Sequence, residues 1–213
     1  MKDFDVLVIG AGPAGTIAAA RAAELGARTA LITRDAFGGM AANDGPVPVR
    51  TLAYAAHIYS RARQLEEYGI SIGTPRLDYA RLLERVRGVV AQARSHSALR
   101  DQVERAGVAL YERTGTARFV DAHTVETPGA GRFRAAKLVI CAGGTARKLS
   151  VRGAEHLAFV SDAWTLTEVP KSLIVIGAGM TGAQVASIFH SFGTQVQLFQ
   201  AGPRIIPTED EAV

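Results

Sequence analysis

Residues 5 to 34, DVLVIGAGPAGTIAAARAAELGARTALITR, superimpose without gaps on residues 172 to 201, SLIVIGAGMTGAQVASIFHSFGTQVQLFQA, at a constant offset of 167. Gly10, Gly12, Gly15 and Gly26 fall on Gly177, Gly179, Gly182 and Gly193. An internal repeat constrains a fold strongly, because both copies must form the same supersecondary unit. Each copy has a continuous apolar strand, a glycine-rich turn, a helix of small residues and a second apolar strand, which is the pattern of a βαβ unit. The expected fold class is therefore α/β, with Rossmann-like dinucleotide-binding units built on parallel strands.

The turn chemistry is specific. The first glycine makes the tight turn, the second lets the backbone approach a pyrophosphate, and the third lets the helix pack closely on the strand. Free N–H groups and the dipole at the helix N-terminus attract the anion. One G-x-G-x-x-G is a weak signal, but two copies in the same strand-turn-helix context predict two dinucleotide sites. Both copies depart from the usual fingerprint at the same place. The second strand should end in Asp or Glu to hold a ribose hydroxyl pair, yet Thr33 and Gln200 stand there. Losing a hydrogen bond to a carboxylate costs about 1.5 to 3 kcal/mol, which weakens a site without abolishing it. At Gln200 the change also removes a charge that would repel a 2'-phosphate, and Arg204 follows closely, so NADP and NAD both stay open as the second nucleotide.

Between the copies, residues 35 to 50 (DAFGGMAANDGPVPVR) read as a loop ordered against a ligand or a neighbouring chain. Leu52, Ala55, Tyr59, Ala62 and Leu65 keep helical spacing, with Gly69 as a stop, and a longer helix is expected from about Leu77 to Ala106. His57 and His96 lie on these helices without ligand-spaced partners and read as surface or packing residues. The stretch from Val108 to Gly144 reads as short, mostly antiparallel strands ending in a buried strand from Lys137 to Cys141.

The net charge is +4, and Lys2, Lys137, Lys148 and Lys171 are the only lysines, so the basic character is arginine. Seven arginines between Arg76 and Arg105 are interleaved with Asp78, Glu84, Asp101 and Glu104. Mixed charge without aromatics suits a solvated helix face rather than a nucleic-acid surface. The lone Cys141 permits no intrachain disulfide and points to a reducing compartment, so a cytoplasmic protein is expected. No apolar run approaches a membrane span. No metal constellation and no nucleophile-base pair is evident.

The two nucleotide motifs, the glycine loop after the first and the strand closing in Ala142-Gly143-Gly144 make the chain resemble the N-terminal part of the pyridine nucleotide-disulfide oxidoreductases. Segment SDAWTLTEVPKSLIVIGAG looks like that family's linker into its nicotinamide domain, and PRIIPTEDEAV like the turn into its next helix. The resemblance implies an FAD-binding domain over 1–150, including the helical segment 51–106, and the start of an NAD(P)-binding domain over 151–213. It implies that Gly10, Gly12, Pro13, Ala14, Gly15, Thr33, Arg34, Gly39, Met40, Thr116, Ala142 and Gly143 line the FAD site. Gly177, Gly179, Met180, Gly182, Gln200 and Arg204 would hold NADP or NAD.

The resemblance fails at one chemical point. The family loop reads G-G-T-C-x-N-x-G-C-x-P-[ST]-K, whereas here Gly38-Gly39-Met40-Ala41-Ala42-Asn43-Asp44-Gly45-Pro46 keeps the frame without the thiols. Ala41 and Pro46 replace both redox cysteines, and Arg50 replaces a lysine near the flavin, where its charge would support a reduced, anionic flavin. The expected activity is an FAD-dependent NAD(P)H oxidoreductase passing electrons to an unidentified diffusible acceptor without a redox disulfide. The alternative is a non-catalytic nucleotide-binding remnant or one half of a split flavoenzyme. Family members are homodimers of longer chains, so a partner chain or further C-terminal sequence is expected.

Overall fold

The computed structural model of the chain describes residues 1–95, 97–146, 149–164 and 166–210. Its elements run β1 (Lys2–Ile9), α1 (Pro13–Glu24), β2 (Thr29–Ile32), α2 (Gly39–Asn43), α3 (Pro46–Gln64), α4 (Tyr79–Ser95), α5 (Ala98–Arg105), β3 (Ala109–Tyr111), β4 (Arg118–Phe119), β5 (Thr124–Thr127), β6 (Gly131–Ile140), β7 (Ser172–Ile176), α6 (Met180–Ser191) and β8 (Gln195–Phe199). Both repeat copies are βαβ units, β1-α1-β2 and β7-α6-β8, each with its two strands parallel. Packing divides the chain into two compact units, Met1–Asp44 with Val90–Leu149, and Gly45–Val89 with Ser150–Val213.

In the first unit a six-stranded sheet has the order β3-β2-β1-β6-β5-β4. β1 lies at its centre, with Val6 opposite Thr29 in β2 and Lys137 in β6. Alternation along β1 sends Val8 to one core with Ala19, Leu31, Phe37 and Val103, and Leu7 to the other with Ile32, Val125 and Phe133. A central strand covered on both faces needs the unbroken apolar run that the sequence supplies. Full burial of each leucine contributes about 1.5 to 3 kcal/mol.

The second unit packs α3, α6 and the N-terminal part of α4 around Leu52, Ala56, Leu83, Val86, Phe189 and Phe192. Tyr79 meets Phe192 edge to face at 6.1 Å and donates its hydroxyl to the Ala163 carbonyl at 3.2 Å. Burial pushes the Tyr79 hydroxyl pKa up to about 12.

Four expectations need correction. Residues 35 to 50 are only partly loop, because α2 forms directly after Gly38 and α3 starts at Pro46, a residue suited to a first helical position. The helix expected from Leu77 to Ala106 is two helices, since Ser97 takes an extended backbone (ψ 117°) and caps a fresh start at Ala98; His96 lies outside the described residues. β3 is not part of the antiparallel run, because it pairs parallel with β2, and only β4, β5 and β6 form antiparallel neighbours. The end of β6 is not buried: Ile140 is 64% exposed, and the buried positions of the strand are Phe133 and Ala135. Strand polarity and coverage depend on neighbours far along the chain, which local patterning cannot register. No described helix is long and apolar enough to cross a membrane.

Candidate functional site

The first turn is a backbone cradle. Gly10 (φ +108°) donates its N–H to Ile32 O at 2.8 Å, and a Cβ there would stand 2.1 Å from Cys141 O. A Cβ on Gly15 would stand 1.8 Å from Gly10 O, so the helix comes as close to the strand as bare backbone permits. Gly12 caps α1, Pro13 follows it, and no side chain caps the helix. The N–H groups of Ala14 and Gly15 in that first turn have no intrahelical acceptor, and they point where an anion would be held.

The loop after β2 closes on this turn. Gly38 donates to Ala11 O at 2.9 Å, and a Cβ on Gly39 would lie 2.8 Å from Gly12 Cα. Phe37, 1% exposed, anchors the loop in the core, and its N–H donates to Glu112 Oε2 at 2.8 Å. Asn43 donates to Phe37 O at 3.4 Å and accepts a bond from Arg94. Partial burial raises the Glu112 pKa, but the hydrogen bonds from Arg100 and Phe37 and the charges of Arg100 and Arg113 outweigh it and hold the carboxyl below its usual range.

The structure thus brings Gly10, Gly12, Gly15, Gly39 and the Cys141–Ala142 backbone together. Thr33 is buried at the end of β2, its N–H donating to Tyr111 O and its carbonyl accepting from Thr114. Arg34 pairs with Asp35 at 2.7 Å, and Gly115, the neighbour of Thr116, donates to Arg34 O at 3.2 Å. Met40, Thr116, Ala142 and Gly143 are exposed. Arg50 belongs to the second unit, exposed in the first turns of α3, and His57 is exposed further along it. Sequence reasoning missed Phe37, Glu112, Arg94 and Arg100. A lone aromatic in a loop otherwise rich in Gly, Asp and Asn was the signal available for Phe37.

The second turn repeats the geometry. Gly177 donates to Phe199 O at 2.8 Å, a Cβ on Gly182 would stand 1.8 Å from Gly177 O, and Gly179 caps α6 without a side-chain bond. Ile206 donates to Ala178 O at 2.6 Å, as Gly38 does to Ala11 O. Gln200 Oε1 accepts from Ala178 N at 3.0 Å, which turns the amide nitrogen away from the turn. The Arg204 guanidinium binds the carbonyls of Pro207, Glu209 and Asp210. Met180 is 57% exposed. Among the described residues no cluster of His, Cys, Asp or Glu is arranged to hold a metal.

Two glycine turns of this geometry on parallel strands define a two-nucleotide oxidoreductase scaffold, and the chain belongs to the pyridine nucleotide-disulphide oxidoreductase family, which it matches over residues 4–213. FAD and NAD(P)H are the cofactors of that family. The chain is 34% identical to dihydrolipoyl dehydrogenase 2 of Haloarcula marismortui, over 98% of its own length and 45% of the relative's. It is 32% identical to mercuric reductase of Staphylococcus aureus, over 99% of its own length and 38% of the relative's. Among solved structures it is similar to the Cu(II) complex of a mutant of RclA, the HOCl-induced flavoprotein disulfide reductase of Escherichia coli. That likeness has a TM-score of 0.80 at 24% identity and covers 100% of this chain and 46% of the other, which shows the shared fold. The chain spans less than half the length of these relatives.

Proposed function

We propose that the chain is the nucleotide-binding part of an FAD-dependent NAD(P)H oxidoreductase that delivers electrons to a diffusible acceptor, such as a quinone or oxygen, without a redox disulfide. The observation behind this reading is the loop from Gly38 to Pro46. It keeps its seat on the first turn through Gly38 and Gly39, with Asn43 bonded back to the Phe37 carbonyl, yet carries Ala41 and Pro46 where the family has its two cysteines. Cys141, the only cysteine of the sequence, has no second thiol with which to cycle.

The residues present fit both nucleotides. In the first unit the uncapped start of α1 offers N–H groups to a pyrophosphate, and Gly39 comes so close to Gly12 that a Cβ on Gly39 would lie 2.8 Å from Gly12 Cα. In the second unit the start of α6 does the same. Gln200 presents an amide donor where a carboxylate would repel a 2'-phosphate, which favours NADPH over NADH. FAD, when bound, supplies the carrier that takes a hydride from the nicotinamide and releases electrons to the acceptor.

The test is to purify the chain, record its visible spectrum with FAD supplied, and add NADPH or NADH without oxygen. A flavin spectrum that bleaches supports the proposal, with NADPH the faster donor. A protein that takes up no FAD overturns it in favour of a nucleotide-binding remnant or half of a split flavoenzyme. That second reading is favoured by the exposed apolar side chains of the second copy, Ile174 at 61% and Phe199 at 54%.

A further inference from the structure

Gly38 and Gly39 both hold left-handed backbone, φ +102° and +57°. Two successive glycines leave a loop many alternative conformations, so its seat on the first turn needs fixing from outside. Phe37 supplies the fixed point, and three contacts close a ring around it. Its N–H donates to Glu112 Oε2 at 2.8 Å, Glu112 Oε1 lies 2.5 Å from Arg100 Nη2, and the Arg100 guanidinium stands over the Phe37 ring, 4.7 Å from its centroid. The Arg100 and Glu112 side chains are only 24% and 28% exposed. A charge-assisted pair in that setting is stronger than a surface ion pair and holds one geometry. Glu104, one turn further along α5 and 3.6 Å from Arg100, adds a second anion to the same guanidinium.

We infer that Arg100 and Glu112 are positioning residues for the dinucleotide site of the first unit, acting through Phe37 to hold Gly38 and Gly39 against the turn at Gly12. Neither residue has a bond to the turn itself. Their contribution is to order the loop before the nucleotide arrives, so that binding does not carry the ordering cost. This rests on the reading that the first turn takes FAD.

The experiment titrates FAD into the full chain by quenching of flavin fluorescence, at a temperature where circular dichroism shows every variant folded. Glu112→Gln and Arg100→Met should each raise the FAD dissociation constant about tenfold, the equivalent of about 1.4 kcal/mol, and the double variant should be no weaker than the weaker single one, because both act on one ring of contacts. Arg100→Lys keeps the charge but loses the planar fork over Phe37, and should restore affinity only in part. Hydrogen exchange should show faster exchange at Phe37 and Gly38 in the variants. If Glu112→Gln does not fold, Arg100→Lys carries the same test. Variants that bind FAD as tightly as the parent chain, even with lowered unfolding temperatures, overturn the positioning role and leave the functional reading standing. A parent chain that takes up no FAD overturns both.

Discussion

Leu7 and Ile174 occupy the same place in the two βαβ copies, yet Leu7 is 0% exposed and Ile174 61%. Strand β2 is buried at all four positions, whereas its counterpart β8 is exposed at every second one. The turns are near-identical: a Cβ on the third glycine would stand 1.8 Å from the first glycine's carbonyl oxygen in both, and the central alanine carbonyl receives a loop N–H in both. Local sequence therefore sets the turn, and distant chain sets the surroundings. In the first copy β6 runs beside β1, and Cys141 N donates to Ile9 O at 2.8 Å, walling the turn. In the second copy, among the described residues, β7 pairs with β8 alone.

The largest effect expected from this contrast is at the first glycine. Gly10→Ala forces a Cβ to 2.1 Å from the Cys141 carbonyl, and should destabilise by more than about 4 kcal/mol or prevent folding. Gly177→Ala meets nothing within 4 Å, and should cost only the left-handed backbone, about 1 to 2 kcal/mol. Chemical denaturation of the two variants checks this, and equal losses would break the comparison.

The strand cores should differ next. Leu7→Ala opens a cavity in a filled core and should cost about 2 to 5 kcal/mol. Ile174→Ala should change stability by no more than about 0.5 kcal/mol, as an exposed position does. A large loss at Ile174 would mean that another surface covers β7 in solution, and sedimentation would then find the assembly.

At the ribose ends, Gln200→Glu should shift the ratio of kcat/KM for NADH over NADPH upward by about tenfold, the scale of one hydrogen bond to a charged group. An unchanged ratio in steady-state assays would remove Gln200 from nucleotide discrimination.

The smallest effect concerns the loops that reach the alanine carbonyls. The first copy uses glycines, while the second uses Ile206 at φ +46°. A β-branched residue there is strained, and Asn tolerates that region better. Ile206→Asn should therefore raise stability by up to about 1 kcal/mol, measured by thermal unfolding. A loss would show that packing of the Ile206 side chain outweighs its backbone strain.

The repeat makes both βαβ units, their parallel pairing and the glycine contacts legible in the sequence, because these are local and depend on sterics at fixed spacing. The helix that breaks at Ser97 was not legible, since its two halves are amphipathic toward different cores: Tyr79, Leu83 and Val86 serve one, Val103 the other. The exposure of Ile140 was hidden for the same reason, because an apolar side chain at a strand end reports what could cover it, not what does. At the candidate site, spacing gave the cradle but not its support. Glu112 and Arg100 are charged residues distant from the motif in sequence, and only the fold brings them to Phe37.

The most direct test of electron transfer without a disulfide is an anaerobic titration of the FAD-loaded chain with NADPH, followed by flavin absorbance. With Ala41 and Pro46 in place of a thiol pair, one NADPH per flavin should complete the bleaching, with no long-wavelength band from a thiolate beside the flavin. A second equivalent consumed before the end point, or a chain that holds FAD but is not reduced, would contradict the account.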